Sequence, residues 1–243
     1  MTDDAVLLNE NVDTIRLLTL NRPKALNALN SELVNAIVDA VDAAHADDGV
    51  SAIVLAGNER SFSAGADLKE AQARHGDDAQ AARAHADAGG RLYQLGERTD
   101  KPVIAAVRGY VLGGGCNLAI ACDLVVAGEN AVLGYPELKR GLAATAVTPG
   151  LVHRIGPKVA FEMLAIAENI TAQRAYELGM INKVVPDNAV IDAALDMARA
   201  LAEYDLAAVR TTKRVFQKST ELSLSQSLDV AREAALLNRA MRD

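Results

Sequence analysis

Short apolar runs alternate with polar stretches of helical period over the first two thirds of the chain. Val6 to Asn9 and Thr14 to Leu20 predict two strands joined by the polar connection Glu10-Asn11-Val12-Asp13, and Asn21-Arg22-Pro23 ends the second. Leu33, Val34, Ile37, Val38 and Val41 recur at helical spacing behind Asn30 or Ser31 as N-cap, with Gly49 beyond the end. Ser51 to Ala56, Lys101 to Val107 and Leu124 to Ala127 are compact apolar runs of the kind found in strands covered on both faces. Strand and helix alternate, which predicts an α/β domain with a largely parallel sheet.

Between Leu68 and Thr99 the chain is polar and alanine-rich, and Gly76, Gly89 and Gly90 weaken any single continuous helix there; the stretch reads as mobile helices over a site. Helical patterns follow at Val159 to Glu168, Ala172 to Leu178, Ala189 to Tyr204, Leu206 to Gln217 and Leu222 to Met241, with Gly179 placed to stop one of them. From about Asn188 onward there is no strand candidate. That block predicts a helical appendage packed on the first part or on another subunit.

Half of the 243 residues are hydrophobic, enough to bury a sizeable core. Cys116 and Cys122 fit neither a disulfide framework nor a zinc site and are expected as buried thiols in a reducing cytoplasm. A net charge of −7 argues against nucleic acid or an anionic membrane as principal partner. The acidic N-terminus MTDDAVLLNE does not resemble a secretory signal, and Pro102 to Gly128 is interrupted by Arg108, Asp123 and a glycine run, so export and membrane insertion are not expected. His45, His75, His85 and His153 match no catalytic or metal-binding spacing.

Three stretches carry candidate chemistry. Ser61 to Lys69 (SFSAGADLK) is a small-residue loop after a strand, and Gly109 to Asp123 (GYVLGGGCNLAIACD) puts three glycines ahead of a helix. Both expose backbone N–H groups, which stabilise negative charge developing on a carbonyl oxygen. Either alone is equally well an ordinary glycine turn. In Leu133 to Leu142 (LGYPELKRGL), Glu137 follows Pro136 at a strand end, where a carboxylate can act as general acid or base, although most such residues are simply solvated.

Asn21 to Leu29 (NRPKALNAL), SFSAGADLK, KPVIAAVRGYVLGGGC and the Pro136-Glu137 stretch occur in one order that resembles the enoyl-CoA hydratase/isomerase (crotonase) superfamily over about Val6 to Val185. The resemblance implies a ClpP/crotonase spiral of repeated ββα turns in residues 1–187 holding an acyl-CoA site. It also implies a helical region over 188–243 and trimers or pairs of trimers. It implies an enzyme that takes coenzyme A as part of a thioester substrate and has no permanently bound cofactor. By position, the Ala66 and Gly114 amides resemble the family's oxyanion donors. Lys24, Ala25 and Leu26, with Ala64, Asp67, Leu68 and Lys69, resemble its coenzyme-contacting segments.

One departure bears on the reaction. Hydratases of the family carry a glutamate just after the GGGC run, and here that position is Asn117, which cannot accept a proton as a carboxylate does. Glu137 alone matches the second glutamate. One carboxylate beside an oxyanion hole suffices to move a proton from C2 to C4 of a 3-enoyl thioester, so isomerisation is the chemically simplest expectation. Hydration of a 2-enoyl thioester with Asn117 orienting water is the near rival. Hydrolysis, carbon–carbon lysis and acyl-CoA binding without turnover stay open. Asp123 is expected to satisfy backbone donors. Tyr110 and Tyr135 flank the site as acyl-chain contacts or as packing, and Lys213 and Arg214 face either coenzyme phosphates, a neighbouring subunit or solvent. The ending Asn238 to Asp243 suggests a short or missing lid over the coenzyme.

Overall fold

Leu7–Val12 (β1) and Ile15–Leu20 (β2) form an antiparallel hairpin with Leu7 opposite Leu20 and Val12 opposite Ile15. The turn is tighter than the sequence predicts, because Asp13 takes a φ of 56° and pairing extends to Val12. Aspartate tolerates that left-handed geometry better than most residues. The structure is a computed structural model that describes residues 5–73 and 78–240. His75, Gly76 and Met241 to Asp243, the end of the stretch read as a short or missing lid, lie outside the described residues.

Ser31–Ala46 (α1) follows, capped by Asn30, whose Oδ1 accepts a 3.0 Å hydrogen bond from the Leu33 N–H. It buries the predicted stripe of Leu33, Val34, Ile37, Val38 and Val41. The chain then winds. Ala52–Ala56 (β3) is followed by Ser61–Ser63 (β4) and the helices Leu68–Ala73 (α2) and Ala79–Tyr93 (α3). The next turn is Val103–Val107 (β5), Tyr110–Leu112 (β6) and Gly114–Ala121 (α4). A third is Leu124–Gly128 (β7), Val132–Gly134 (β8), Thr148–Ile155 (α5) and Pro157–Ala165 (α6). Ile170–Thr171 (β9), Ala172–Glu177 (α7) and Lys183–Val185 (β10) close the winding. Gly89 and Gly90 lie inside α3 without interrupting it, contrary to their expected effect.

Each turn adds one strand to a sheet ordered β1-β2-β3-β5-β7-β10, parallel apart from the first hairpin, and one to a second sheet ordered β4-β6-β8-β9. This is the spiral of ββα turns that the resemblance implies. Side chains of β3 and β5 alternate between two cores, as the two-residue period of a strand requires. Ile53, Leu55, Val103, Ala105 and Val107 face the α1 side, while Val54, Ala56, Ile104 and Ala106 meet Val190, Ala194, Leu195 and Ala198. The latter belong to Val190–Ala202 (α8), so the C-terminal block begins by covering the large sheet's second face.

Leu206–Glu221 (α9) and Leu224–Ala240 (α10) pack on each other. Lys213 corrects the expectation of a charge facing coenzyme or solvent. It is buried, and its Nζ donates to Asp123 Oδ2 and to the Lys101 carbonyl, both at 2.6 Å. Arg214, its neighbour, is exposed. Asp123 also accepts the Val103 N–H at 2.7 Å, so it satisfies a backbone donor as expected. Among the described residues no helix is long and apolar enough to cross a membrane.

Candidate active site

Two loops from successive turns of the spiral are clasped together. Asn27, fully buried with a φ of 54°, donates from Nδ2 to the Ser61 and Phe62 carbonyls at 3.1 Å and accepts the Arg22 N–H at 2.8 Å. Ser63 Oγ donates to the Asn27 carbonyl, and the Ala64 N–H donates to the Leu26 carbonyl at 3.0 Å. Arg22 reaches Asp67 at 2.9 Å and also donates to the Ala28 carbonyl. Asp67 in turn accepts the N–H groups of Lys69 and Glu70 at the start of α2. Burial alone would raise its carboxyl pKa. The Arg22 hydrogen bond, the Glu70 amide, the Arg22 charge and the Lys69 amide outweigh that and hold it below the usual range.

The Asp67 side chain is therefore occupied by the clasp, while Lys24 in the turn Pro23–Ala25 and Lys69 on α2 are exposed beside it. Ala25 and Leu26 are half-buried, and Leu26 takes a left-handed φ of 51°. The structure thus brings the Lys24-Ala25-Leu26 loop and the Ala64 to Lys69 loop into one rim.

Ala66 forms an isolated parallel bridge with Leu29 in which the Gly65 carbonyl and the Asp67 N–H make the hydrogen bonds. Alternation along an extended chain turns the N–H of Ala66 itself to the opposite side. Gly65, with φ of 92°, lies so close to α4 that an added Cβ would stand 3.3 Å from the Gly114 nitrogen and 2.8 Å from the Leu112 carbonyl. Gly113 caps α4 with φ of 51° and donates to the Gly134 carbonyl at 2.7 Å. The amides of Ala66 and Gly114 are in this way set on neighbouring stretches of backbone.

Pairing of β6 with β8 sets the carboxylate. Leu112 lies opposite Gly134, so the residues that follow them, Gly113 and the Tyr135-Pro136-Glu137 segment, run side by side. A Cβ on Gly113 would stand 2.7 Å from Glu137 Oε1. Glu137 Oε2 is buried without a hydrogen-bond partner. Burial pushes the Glu137 pKa above the ordinary glutamate value, and its own backbone amide and the Arg140 charge only partly oppose this. Glu137, Gly113, Ala64, Gly65, Ala66 and Leu68 line one small pocket, of about 40 Å³.

Asn117 is placed differently. It is buried in the first turns of α4, lines a cavity of about 670 Å³ between α3, α4 and α5, and does not line the small pocket with Glu137. Its side chain lies against Gly150, and its Oδ1 has no hydrogen-bond partner. Sequence reasoning missed Arg140 and Leu142, which line the small pocket, and Tyr93, the last residue of α3, which lines the large one. Proximity to Pro136-Glu137 was the available signal for the first two; nothing local marked Tyr93. Tyr135 is fully buried next to Cys116, which makes it packing, whereas Tyr110 is nearly half exposed.

A loop-borne pair of amides beside one desolvated carboxylate, in a spiral of ββα turns, defines a class that comparison with known proteins makes explicit. The model of the enoyl-CoA hydratase/isomerase family matches residues 10–239. The chain is 38% identical over 230 residues to the 2,3-dehydroadipyl-CoA hydratase of Escherichia coli, covering 94% of this chain and 88% of that protein. It is 34% identical to the crotonyl-CoA hydratase of Syntrophomonas wolfei, covering 98% and 91%. Among solved structures, the enoyl-CoA hydratase of Mycobacterium smegmatis superposes with a TM-score of 0.90 at 31% identity, covering 96% of this chain and 90% of that one. The chain belongs to the enoyl-CoA hydratase/isomerase family and is an enzyme of that family. Each of these relatives is named as a hydratase, whereas the sequence put isomerisation first.

Proposed function

We propose that this enzyme adds water to 2-enoyl-CoA thioesters, with Glu137 as the sole carboxylate acting first as base and then as acid. The observation that carries the reading is the Glu137 carboxylate set against Gly113, one residue before the Gly114 amide. In this mechanism Glu137 removes a proton from water, the water oxygen bonds to C3, and the C2=C3 electron pair moves toward the thioester oxygen. The amides of Ala66 and Gly114 stabilise that oxygen's charge, and the enolate then takes the proton from Glu137 at C2. The raised pKa of Glu137 suits a group that must both accept and return a proton. Asn117 supplies an unpartnered buried acceptor for a water in the large cavity.

The exposed Lys24 and Lys69, with Ala25, Leu26, Ala64, Asp67 and Leu68, form the rim on which the coenzyme moiety is placed in this reading. Coenzyme A enters only as part of the substrate. The exposed Phe216, Leu224 and Leu228 of α9 and α10 support assembly into trimers or pairs of trimers, and the reading places the enzyme in the cytoplasm.

Isomerisation of 3-enoyl-CoA is the second reading, favoured by the asparagine at position 117. Mass spectrometry after incubation with 2-enoyl-CoA and 3-enoyl-CoA in heavy-oxygen water separates the two. Label in a 3-hydroxyacyl product is expected; a shifted double bond without label would replace hydration by isomerisation.

A further inference from the structure

The proposed reaction leaves one requirement unmet by Glu137 alone, because a water attacking C3 must be held while a single carboxylate takes its proton. Asn117 stands at the sequence position where a second acid would be sought, yet it and Glu137 line different pockets. Tyr93 lines the cavity of Asn117 and also feels the charge of Glu137. A Cβ built on Gly114 would lie 2.5 Å from Tyr93 Oη, so the hydroxyl sits directly against the residue whose amide is the proposed oxyanion donor. Gly113, the residue before it, bears on Glu137 in the same way. Consecutive glycines thus contact the phenol and the carboxylate. The Tyr93 side chain also lines the large cavity together with Asn117.

Electrostatics agree with this placement. Burial, and then the negative charge of Glu137, push the Tyr93 pKa up to about 12, so the phenol keeps its proton at any working pH. A neutral phenol both donates and accepts a hydrogen bond, which is what holding a water beside a carboxylate requires. The surrounding glycines leave room at this point, since any side chain on Gly114 would collide with the hydroxyl.

We propose that Tyr93 holds the attacking water, its hydroxyl against Gly114 taking the place of the second acid group that the chain lacks at Asn117. The inference rests on the hydration reading. In the step itself Tyr93 keeps its proton; one water hydrogen goes to Glu137, the oxygen bonds to C3, and the same proton is returned to C2.

The test is Tyr93→Phe, which preserves the ring and removes only the hydroxyl. Two rates are measured for parent and variant: hydration of a four-carbon 2-enoyl-CoA, and exchange of the C2 hydrogen of the saturated four-carbon thioester in heavy water. Exchange needs the carboxylate and the enolate but no attacking water. Expected is a fall in hydration kcat of at least tenfold, with KM within about twofold, exchange within about twofold and an unchanged melting temperature. Unchanged hydration would overturn the proposal, and so would an equal loss of both rates, which would mean that Tyr93 acts on Glu137 rather than on water. A parent that exchanges hydrogen but never hydrates overturns the hydration reading and this inference with it, and that failure is seen in the parent and not in the variant.

Discussion

Gly113 and Glu137 are in contact through the one side-chain position that glycine leaves empty: a Cβ there would stand 2.7 Å from the carboxylate oxygen Oε1. Gly113 also has φ of 51° and ψ of −122°, a conformation that costs an L-residue of order 1–3 kcal/mol. Because the far end of the glutamate can swing aside, Gly113→Ala is expected to displace the carboxylate more than to unfold the protein. Activity should drop by about a hundredfold, the scale of a 1 Å misplacement, while the circular dichroism spectrum stays that of the parent. Parent-like turnover by the alanine variant would show that Glu137 does not have to occupy this position.

Acid should switch the enzyme off earlier than an ordinary glutamate would. Glu137 works as a base only when ionised, and burial raises its pKa above the usual value of 4.5, so kcat/KM declines as pH falls through that raised value. Arg140 lowers it in part. Arg140→Ala should therefore move the acid limb of the kcat/KM profile to higher pH, and a limb that stays put or moves down would remove Glu137 as the titrating group.

The Arg22–Asp67 pair predicts a stability change that is also lost in acid, but at lower pH, because here the carboxyl pKa is depressed and not raised. Asp67 has a folded pKa below its unfolded value near 3.8, so its contribution is present above that value and is lost as pH falls through the folded pKa. Asp67→Asn should cost about 1–2 kcal/mol at neutral pH in urea unfolding, and the gap to the parent should narrow below pH 3.8. A gap independent of pH would assign the loss to packing.

Lys213→Met removes the cation from a buried carboxylate. Desolvation already raises the Asp123 pKa against the pull of Lys213, and without that lysine it rises further. A carboxyl raised on folding weakens stability as pH climbs from its unfolded to its folded pKa, so the loss should be largest at neutral pH, about 3 kcal/mol, and shrink in acid. For a chain of this length that is roughly a 6–12 °C fall in melting temperature. Adding Asp123→Asn should recover part of it, whereas Arg214→Met, at an exposed position, should change little.

Strands of the large sheet were readable because β3, β5 and β7 are apolar runs buried on both faces, and α1 because its stripe and cap are both local. Of the second sheet only the short strand ahead of Pro136 was read, since β4, β6 and β8 are three-residue strands inside glycine-rich loops where no period can accumulate. Helix α5 also escaped notice, its start marked only by Thr148-Pro149. The motif order placed Glu137, Ala66 and Gly114 in advance. It could not place Tyr93, whose relation to Gly114 spans two turns of the spiral, nor reveal that Lys213 is buried, because its partner lies 90 residues away.

That separation matters while the protein is being made. Asp123 leaves the ribosome well ahead of Lys213, and at 5–20 residues per second the interval is roughly 5–18 s. Until α9 arrives, the acid beside strand β5 has the charge of Arg154 nearby but lacks the cation that hydrogen-bonds to it. Full pairing of Asp123 therefore waits for the helix that carries Lys213.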